Sequence, residues 1–319
     1  MKKICALLLA LLLCVAAAAC EKKDTAPLRV YTLNGTTGFG MAPLIATADD
    51  ENYRFTVETN AVNVRDAMIN GDADIAALPT NVAAALYNAT NGGVTVLALN
   101  TGGVLYLVST GAKIESLSDL AGKTVYTPAQ NPAFITAALL EKADITDAVL
   151  DSTTYAAPEA LRDAVASGLV ELAILPEPMV TIAKSAAAKA GHSLTVALDL
   201  TAAWNEHLPE GSLVQGCVVV RTAFLKEHPT RVAEFLTDYK LSIDYVNKNP
   251  EKAAEQIVAA GIFANAAVAA AALPRCNILF VSGEEMKTAL SSFLAEMPLA
   301  SIGGKLPDDG FYYIPNATD

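Results

Sequence analysis

The sequence predicts an α/β protein of two similar lobes facing each other, each a mixed β-sheet flanked by helices. The first observation is an internal repeat: residues 65–81 read RDAMINGDADIAALPTN and residues 162–178 read RDAVASGLVELAILPEP, at a constant offset of 97. Arg, Asp, Ala, Gly, Ala, Leu and Pro coincide, and Asp74 falls on Glu171. The second is that each copy has a matching partner upstream, Val30-Tyr31-Thr32 before a loop at 34–40 and Val125-Tyr126-Thr127 before a loop at 128–132. The third is size, because a chain of about 300 residues usually builds more than one core.

The N-terminal residues stand apart from any fold argument. Lys2 and Lys3 form a positive start, residues 4–15 an apolar stretch, and Ala17-Ala18-Ala19-Cys20 a small-residue cleavage site. That order is a secretory signal over 1–19. Cys20 after the cut resembles a bacterial lipobox and is the expected lipidation site, with 20–27 as a polar tether to the extracytoplasmic face of the cell membrane. The formal net charge of −12 becomes about −14 once Lys2 and Lys3 leave, which argues against nucleic acid as a partner. A monomer is expected. Cys217 and Cys276 have no CxxC neighbour and are expected as two buried free thiols.

Taken in order, 28–33 is an apolar β-type run, followed by the glycine-rich loop 34–40 and then Met41, Leu44, Ile45 and Ala48 at helical spacing, with Pro43 near the helix start. Residues 53–58 form the next strand, 63–69 a helix and 74–78 a strand. Thr80 or Asn81 is placed to cap a helix over 82–87. Residues 94–99 are a strand ending at Asn100-Thr101-Gly102-Gly103, and 104–109 is a strand suited to crossing to the second lobe. Gly122-Lys123-Thr124 is no phosphate loop, since Leu117 stands where the first glycine belongs and the segment precedes a strand. Asn131-Pro132 is the clearest helix start, with Phe134, Ile135, Ala138 and Leu139 following on one face. Pro176-Glu177-Pro178 repeats its logic. Residues 194–200 are a strand, and 214–221 is suited to crossing back. From 224 to about 300 the pattern is mostly helical, finishing the first lobe's outer layer, and 301–315 is a packed tail whose aromatics Phe311, Tyr312 and Tyr313 cover the core. The expected division is lobe I over 28–103 and 222–319 and lobe II over 104–221, the second including both crossing strands.

In open α/β sheets, ligands sit outside the carboxyl ends of the strands. The loops there supply the candidate ligand-binding residues Asn34, Thr36, Thr37, Thr80, Asn81, Asn100, Thr101, Thr127, Gln130, Asn131 and Glu177. Most of these loops open helices, whose N-termini offer unsatisfied N–H groups to an acidic or carbonyl-like ligand group. Several of the Thr and Asn residues serve equally well as plain caps. Glu177 has two readings: it favours its own helix dipole, or it receives an amine or ring N–H from the ligand, and as a free carboxylate it would oppose a simple inorganic anion. Trp204, the only tryptophan, either stacks a ligand ring or packs. Catalysis has no visible agent. His192, His207 and His228 are dispersed, and no HExxH, Cys/His metal spacing or G-x-S-x-G elbow is present, so no enzyme activity, cofactor or metal is expected.

Residues 71–80 (GDADIAALPT), 120–125 (LAGKTV), 175–178 (LPEP) and 224–229 (FLKEHP), in this order behind a lipobox, resemble bacterial ABC-transporter substrate-binding lipoproteins of the NMT1/THI5-like, nitrate/sulfonate/taurine-type group. The resemblance covers residues 28–315 and implies the periplasmic-binding-protein type II fold. It also implies capture of a small solute between two lobes by hinge closure, with 104–109 and 214–221 as the hinge, and delivery to an ABC permease. The solute is expected to be a heterocyclic amine, a zwitterion or a sulfonate-type molecule. A ligand-presenting sensor is the first alternative; an enzyme on the same fold, like the family's pyrimidine synthases, is the second, although their Cys-rich motif and histidine are not seen here.

Overall fold

The structure is a computed structural model and describes residues 26–315; the expected signal segment and Cys20 lie outside the described residues. The chain opens with strand β1 (Leu28–Leu33), two short helices α1 (Thr36–Phe39) and α2 (Ala42–Thr47), β2 (Tyr53–Glu58), α3 (Ala61–Asn70), β3 (Ile75–Pro79), α4 (Thr80–Ala89) and β4 (Val94–Gly102). It continues with β5 (Leu105–Ser109), β6 (Thr124–Tyr126), α5 (Asn131–Lys142), β7 (Val149–Asp151), α6 (Pro158–Ala166), β8 (Leu172–Pro176), α7 (Met179–Lys189), β9 (Thr195–Asp199) and α8 (Leu200–His207). The last section holds β10 (Val214–Arg221), α9 (Thr222–Glu227), α10 (Pro229–Lys248), α11 (Pro250–Ala259), α12 (Ala266–Ala272), β11 (Ile278–Ser282) and α13 (Gly283–Ala295).

Two mixed sheets result, ordered β11-β4-β10-β3-β1-β2 and β7-β6-β8-β5-β9. In the first, β1 runs parallel to β2 and β3, while β10 is antiparallel to β3 and β4. In the second, β6 runs parallel to β7 and β8, while β5 is antiparallel to β8 and β9. Leaving out the edge strand β11, the two sheets have the same order and the same strand directions. The sequence repeat has become a structural one. β3 and β8 sit at the expected offset of 97, and Gly71 and Gly168 before them both adopt left-handed backbone, φ 77° and 76°, which glycine enters without a side-chain clash.

The strand after β4, β5, crosses into the second sheet as expected. The strand β10 does not stay in the second lobe. It lies at the centre of the first sheet, and its residues 217–220 are fully buried between α-helical layers, which is why a run of four apolar residues was needed there. The first lobe therefore takes 214–221, and the second ends before it. Each sheet thus has a central antiparallel strand that enters from the opposite lobe.

One core cluster joins β1, β3 and β10 to α10, α11 and α12, the expected outer layer of the first lobe. Another lines the opposite face of that sheet under α4 and α13 and runs without a break into β5, β6, β8, α5 and α8. A third lies between the second sheet and α6 and α7. Each fully buried large apolar side chain contributes about 1.5–3 kcal/mol, so the continuous middle cluster ties the lobes together behind the cleft. Trp204 is there: it is fully buried, packs on Phe293 at 6.0 Å between ring centroids and donates from Nε1 to Ser212 Oγ at 2.8 Å. Phe311 and Tyr312 are buried in the same cluster, as the sequence led us to expect. Cys217 and Cys276 are buried free thiols.

Candidate functional site

Helices α4 and α7 follow β3 and β8, and α5 follows the loop after β6, so all three open at the carboxyl ends of parallel strands, and the N-termini of α4 and α5 meet across the cleft. Asn81, the second residue of α4, and Asn131, the first of α5, come from opposite lobes. Asn131 Nδ2 donates to Asn81 Oδ1 at 2.8 Å. Neither helix has a side-chain cap: the residues before them, Pro79 and Gln130, make no capping hydrogen bond. Asn131 was expected as a cap, but its amide reaches across the cleft instead. Its Oδ1 is buried without a protein donor. Two open helix N-termini therefore meet at one point, each with N–H groups that have no intrahelical acceptor.

Gln130 is exposed and stands at φ 68°, ψ −133°, a region other residues than glycine rarely occupy. Asn34 is also exposed, and Thr36 and Thr37 are half-buried on α1.

Four of the expected contacts are committed to the protein itself. Thr80 is fully buried and donates to the Val214 carbonyl at 2.9 Å, tying α4 to β10. Asn100 and Thr101 lie within β4 and not in a loop. The Asn100 amide donates to Tyr239 Oη at 3.0 Å and to the Thr37 carbonyl at 3.2 Å, while Thr101 Oγ1 donates to Asn100 Oδ1 at 3.0 Å. Thr127 is fully buried, with its hydroxyl on the Pro128 carbonyl at 3.2 Å. These polar groups are satisfied without a ligand, and their work is to hold the loop backbones in place.

Of its two readings, Glu177 takes the one at the start of its own helix. Its carboxylate is already occupied on both oxygens. Oε2 accepts from the backbone N and the hydroxyl of Thr181, at 3.1 and 2.9 Å, closing the first turn of α7. Oε1 accepts from Arg275, with Nε and Nη2 each at 2.6 Å. The helix opens at Met179, so Pro178 precedes it instead of lying inside. Arg275 belongs to the other lobe, between α12 and β11, and its carbonyl accepts from Tyr106 Oη on β5 of the second lobe at 2.8 Å, a second bond across the cleft. Burial keeps the Tyr106 hydroxyl protonated by pushing its pKa well above the usual phenol range. Arg275 and Thr181 were not among the expected site residues. The available signal was that Arg275 is the only basic residue in the stretch 253–286.

Beside the cleft, Gly102-Gly103 carries the chain from β4 to β5. Val104 N donates to Gln215 Oε1 at 2.8 Å and Glu177 N to the Val104 carbonyl at 2.9 Å. The two crossings are thus hydrogen-bonded to each other and to the site. A Cβ at Gly103 would lie 2.3 Å from Thr201 Oγ1 and 2.6 Å from Leu213, which restricts the position to glycine. Among the described residues, no group of His, Cys, Asp or Glu is arranged to hold a metal ion.

A protein-family model described as "ABC transporter, phosphonate, periplasmic substrate-binding protein" matches residues 46–265. Comparison with curated proteins finds no match. Among solved structures, one described as an ABC transporter from Parabacteroides distasonis has a TM-score of 0.77 at 24% identity, covering 92% of this chain and 99% of that one. The periplasmic aliphatic sulphonate binding protein SsuA from Escherichia coli gives 0.72 at 14% identity, covering 91% and 93%. The alkanesulfonate-binding protein SsuA from Xanthomonas axonopodis pv. citri, bound to MOPS, gives 0.60 at 12% identity, covering 89% and 95%. At these identities the likeness speaks for the two-lobe periplasmic-binding-protein fold.

Proposed function

The chain belongs to the phosphonate-type family of periplasmic substrate-binding proteins of ABC transporters, and from that premise we propose that it captures a small organic anion between its lobes and passes it to a membrane permease. The observations that carry this reading are the pairing of Glu177 with Arg275 and the meeting of the open N-termini of α4 and α5 at Asn81 and Asn131. A free carboxylate would repel an acidic headgroup and favour an amine; a neutralised one does neither. What remains on offer is N–H donors and the positive ends of two helices, a setting that favours negative charge. Phosphonates and sulfonates carry such a headgroup, and the family description and the sulfonate-binding proteins of like fold support the choice. Asn131 Oδ1, buried and without a donor, supplies an acceptor for a hydroxyl or amine elsewhere on the solute.

Closure follows from the connectivity. The strands 105–109 and 214–221, within the segments expected as the hinge, lie inside the two sheets, so the hinge is assigned instead to the links just before them, 102–104 and 208–213; rotation there brings the lobes together, and a solute stabilises the closed form only by touching both. Capture takes place outside the cytoplasm, with the body tethered through Cys20. No described helix is long and apolar enough to cross a membrane. A thermal-shift panel of alkylphosphonates, alkylsulfonates, nitrate, amino acids and pyrimidines tests the reading. A true solute at 100 times its dissociation constant adds about 2.7 kcal/mol of stability. Stabilisation by the phosphonate or sulfonate set is the expected result; stabilisation by pyrimidines or amino acids alone overturns it.

A further inference from the structure

Given a hinged cleft, as proposed above, we infer that Glu177 and Arg275 form a clasp that draws the lobes together before any solute arrives. The two residues stand 98 apart in sequence and on opposite lobes. Arg275 reaches over with Nε and Nη2 to Glu177 Oε1, and Nη2 also donates to Thr181 Oγ1 at 2.9 Å. The Glu177 side chain has no exposed area, while that of Arg275 is 37% exposed. Charged pairs with one well-fixed partner and a forked donor are the strong kind.

The asymmetry makes the clasp reversible. When the lobes part, Glu177 Oε2 keeps the backbone N–H and the hydroxyl of Thr181 and stays at the positive end of α7. Arg275 passes into water. Neither charge is left buried alone, which is the usual reason such pairs resist separation. The buried ion group at Asp74 is different, since both of its arginines sit in the same lobe and hinge motion leaves it untouched. The Asn81–Asn131 hydrogen bond and the Tyr106 hydroxyl on the Arg275 carbonyl add neutral ties at the same cleft. The clasp is therefore the charged, salt-sensitive part of closure. A closed resting state lowers the fraction of molecules open to solute and with it the apparent affinity.

Small-angle scattering on the mature chain, stripped of solute by unfolding and refolding, tests this without any ligand. Glu177→Gln keeps an acceptor for Thr181 N while removing the charge, and Arg275→Gln changes a partly exposed side chain, so each variant checks the other; circular dichroism verifies that both fold. At low salt we expect the wild type to be more compact than both variants. Raising salt from about 0.01 M to about 1 M, which shortens the screening length from about 30 to about 3 Å, should expand the wild type toward the variants and leave them unchanged. Identical radii of gyration for all three proteins at low salt overturn the clasp. Because no solute is present, that outcome is independent of whether the cleft binds an anion.

Discussion

Asp74 and Arg221 are joined at 2.7 Å although 147 residues separate them, because β10 returns from the second lobe to lie beside β3. Arg29 closes the group from the other side, with Nη2 on Asp74 Oδ1 at 2.6 Å and its backbone N on Oδ2 at 3.1 Å. The carboxylate is nearly inaccessible, at 3% exposure. It locks β1, β3 and β10 together at the amino-terminal end of β3, away from the cleft.

Asp74→Ala is therefore predicted to cost about 1.5–3 kcal/mol, through loss of the buried charge-assisted hydrogen bonds from Arg29 and Arg221, and to leave solute affinity unchanged. Urea unfolding measures the first and calorimetry the second. The pH dependence follows from the same geometry. Burial alone would raise the Asp74 pKa, but the hydrogen bonds from Arg29 and Arg221 outweigh it and hold the carboxyl below its usual range. Its contribution is thus fully present above the unfolded carboxylate value of about 3.9 and is lost as pH falls through the lower folded value. The wild type should lose more stability than Asp74→Ala on acidification below about pH 4.

Gly103→Ala places a Cβ against Thr201 Oγ1 and Leu213 at the first crossing. Overpacking of this kind costs about 1–3 kcal/mol. We expect a lower midpoint in urea. Pairing it with Thr201→Ser, which leaves Oγ1 in place, should not restore the loss, whereas Thr201→Gly, which removes that atom, should restore part of it.

Trp204→Phe is predicted to destabilise the protein by about 1–3 kcal/mol, through the lost volume and the Ser212 hydroxyl left without its indole donor, with no change in solute affinity. Its burial between α8 and α13 also means that solute should not quench the wild-type fluorescence by direct contact. Urea unfolding followed by circular dichroism measures the first, calorimetry the second, and titration of the wild-type emission intensity with solute the third.

Much of the fold was legible because its signals are local. The strand-to-Pro units at β3 and β8 repeat one another at a fixed spacing, and β1, β2 and β10 were placed by their apolar β-type runs. What the sequence hid was long-range. The lobe to which 214–221 belongs is decided by pairing with β3 and β4, which no pattern within those eight residues encodes. β11 carries a plain strand run, Ile278-Leu279-Phe280-Val281, but sits among helices and was read with them. Asn100 and Thr101 looked like a polar strand end; they remain in the strand because Tyr239, on α10, satisfies the amide from above. The candidate site was legible as a set of helix starts. Its electrostatics were not, because the cation that neutralises Glu177 is a lone arginine 98 residues away on the facing lobe.

The most direct measurement is calorimetric titration of methylphosphonate, methanesulfonate and, as a cation, methylammonium into the wild type, Asn131→Ala and Glu177→Gln. The cleft described here predicts one site per chain and, for Asn131→Ala, roughly tenfold weaker binding, equal to about 1.4 kcal/mol. Binding to Glu177→Gln should be retained. An anion that binds all three proteins alike, or a cationic solute whose binding is lost only in Glu177→Gln, would contradict it.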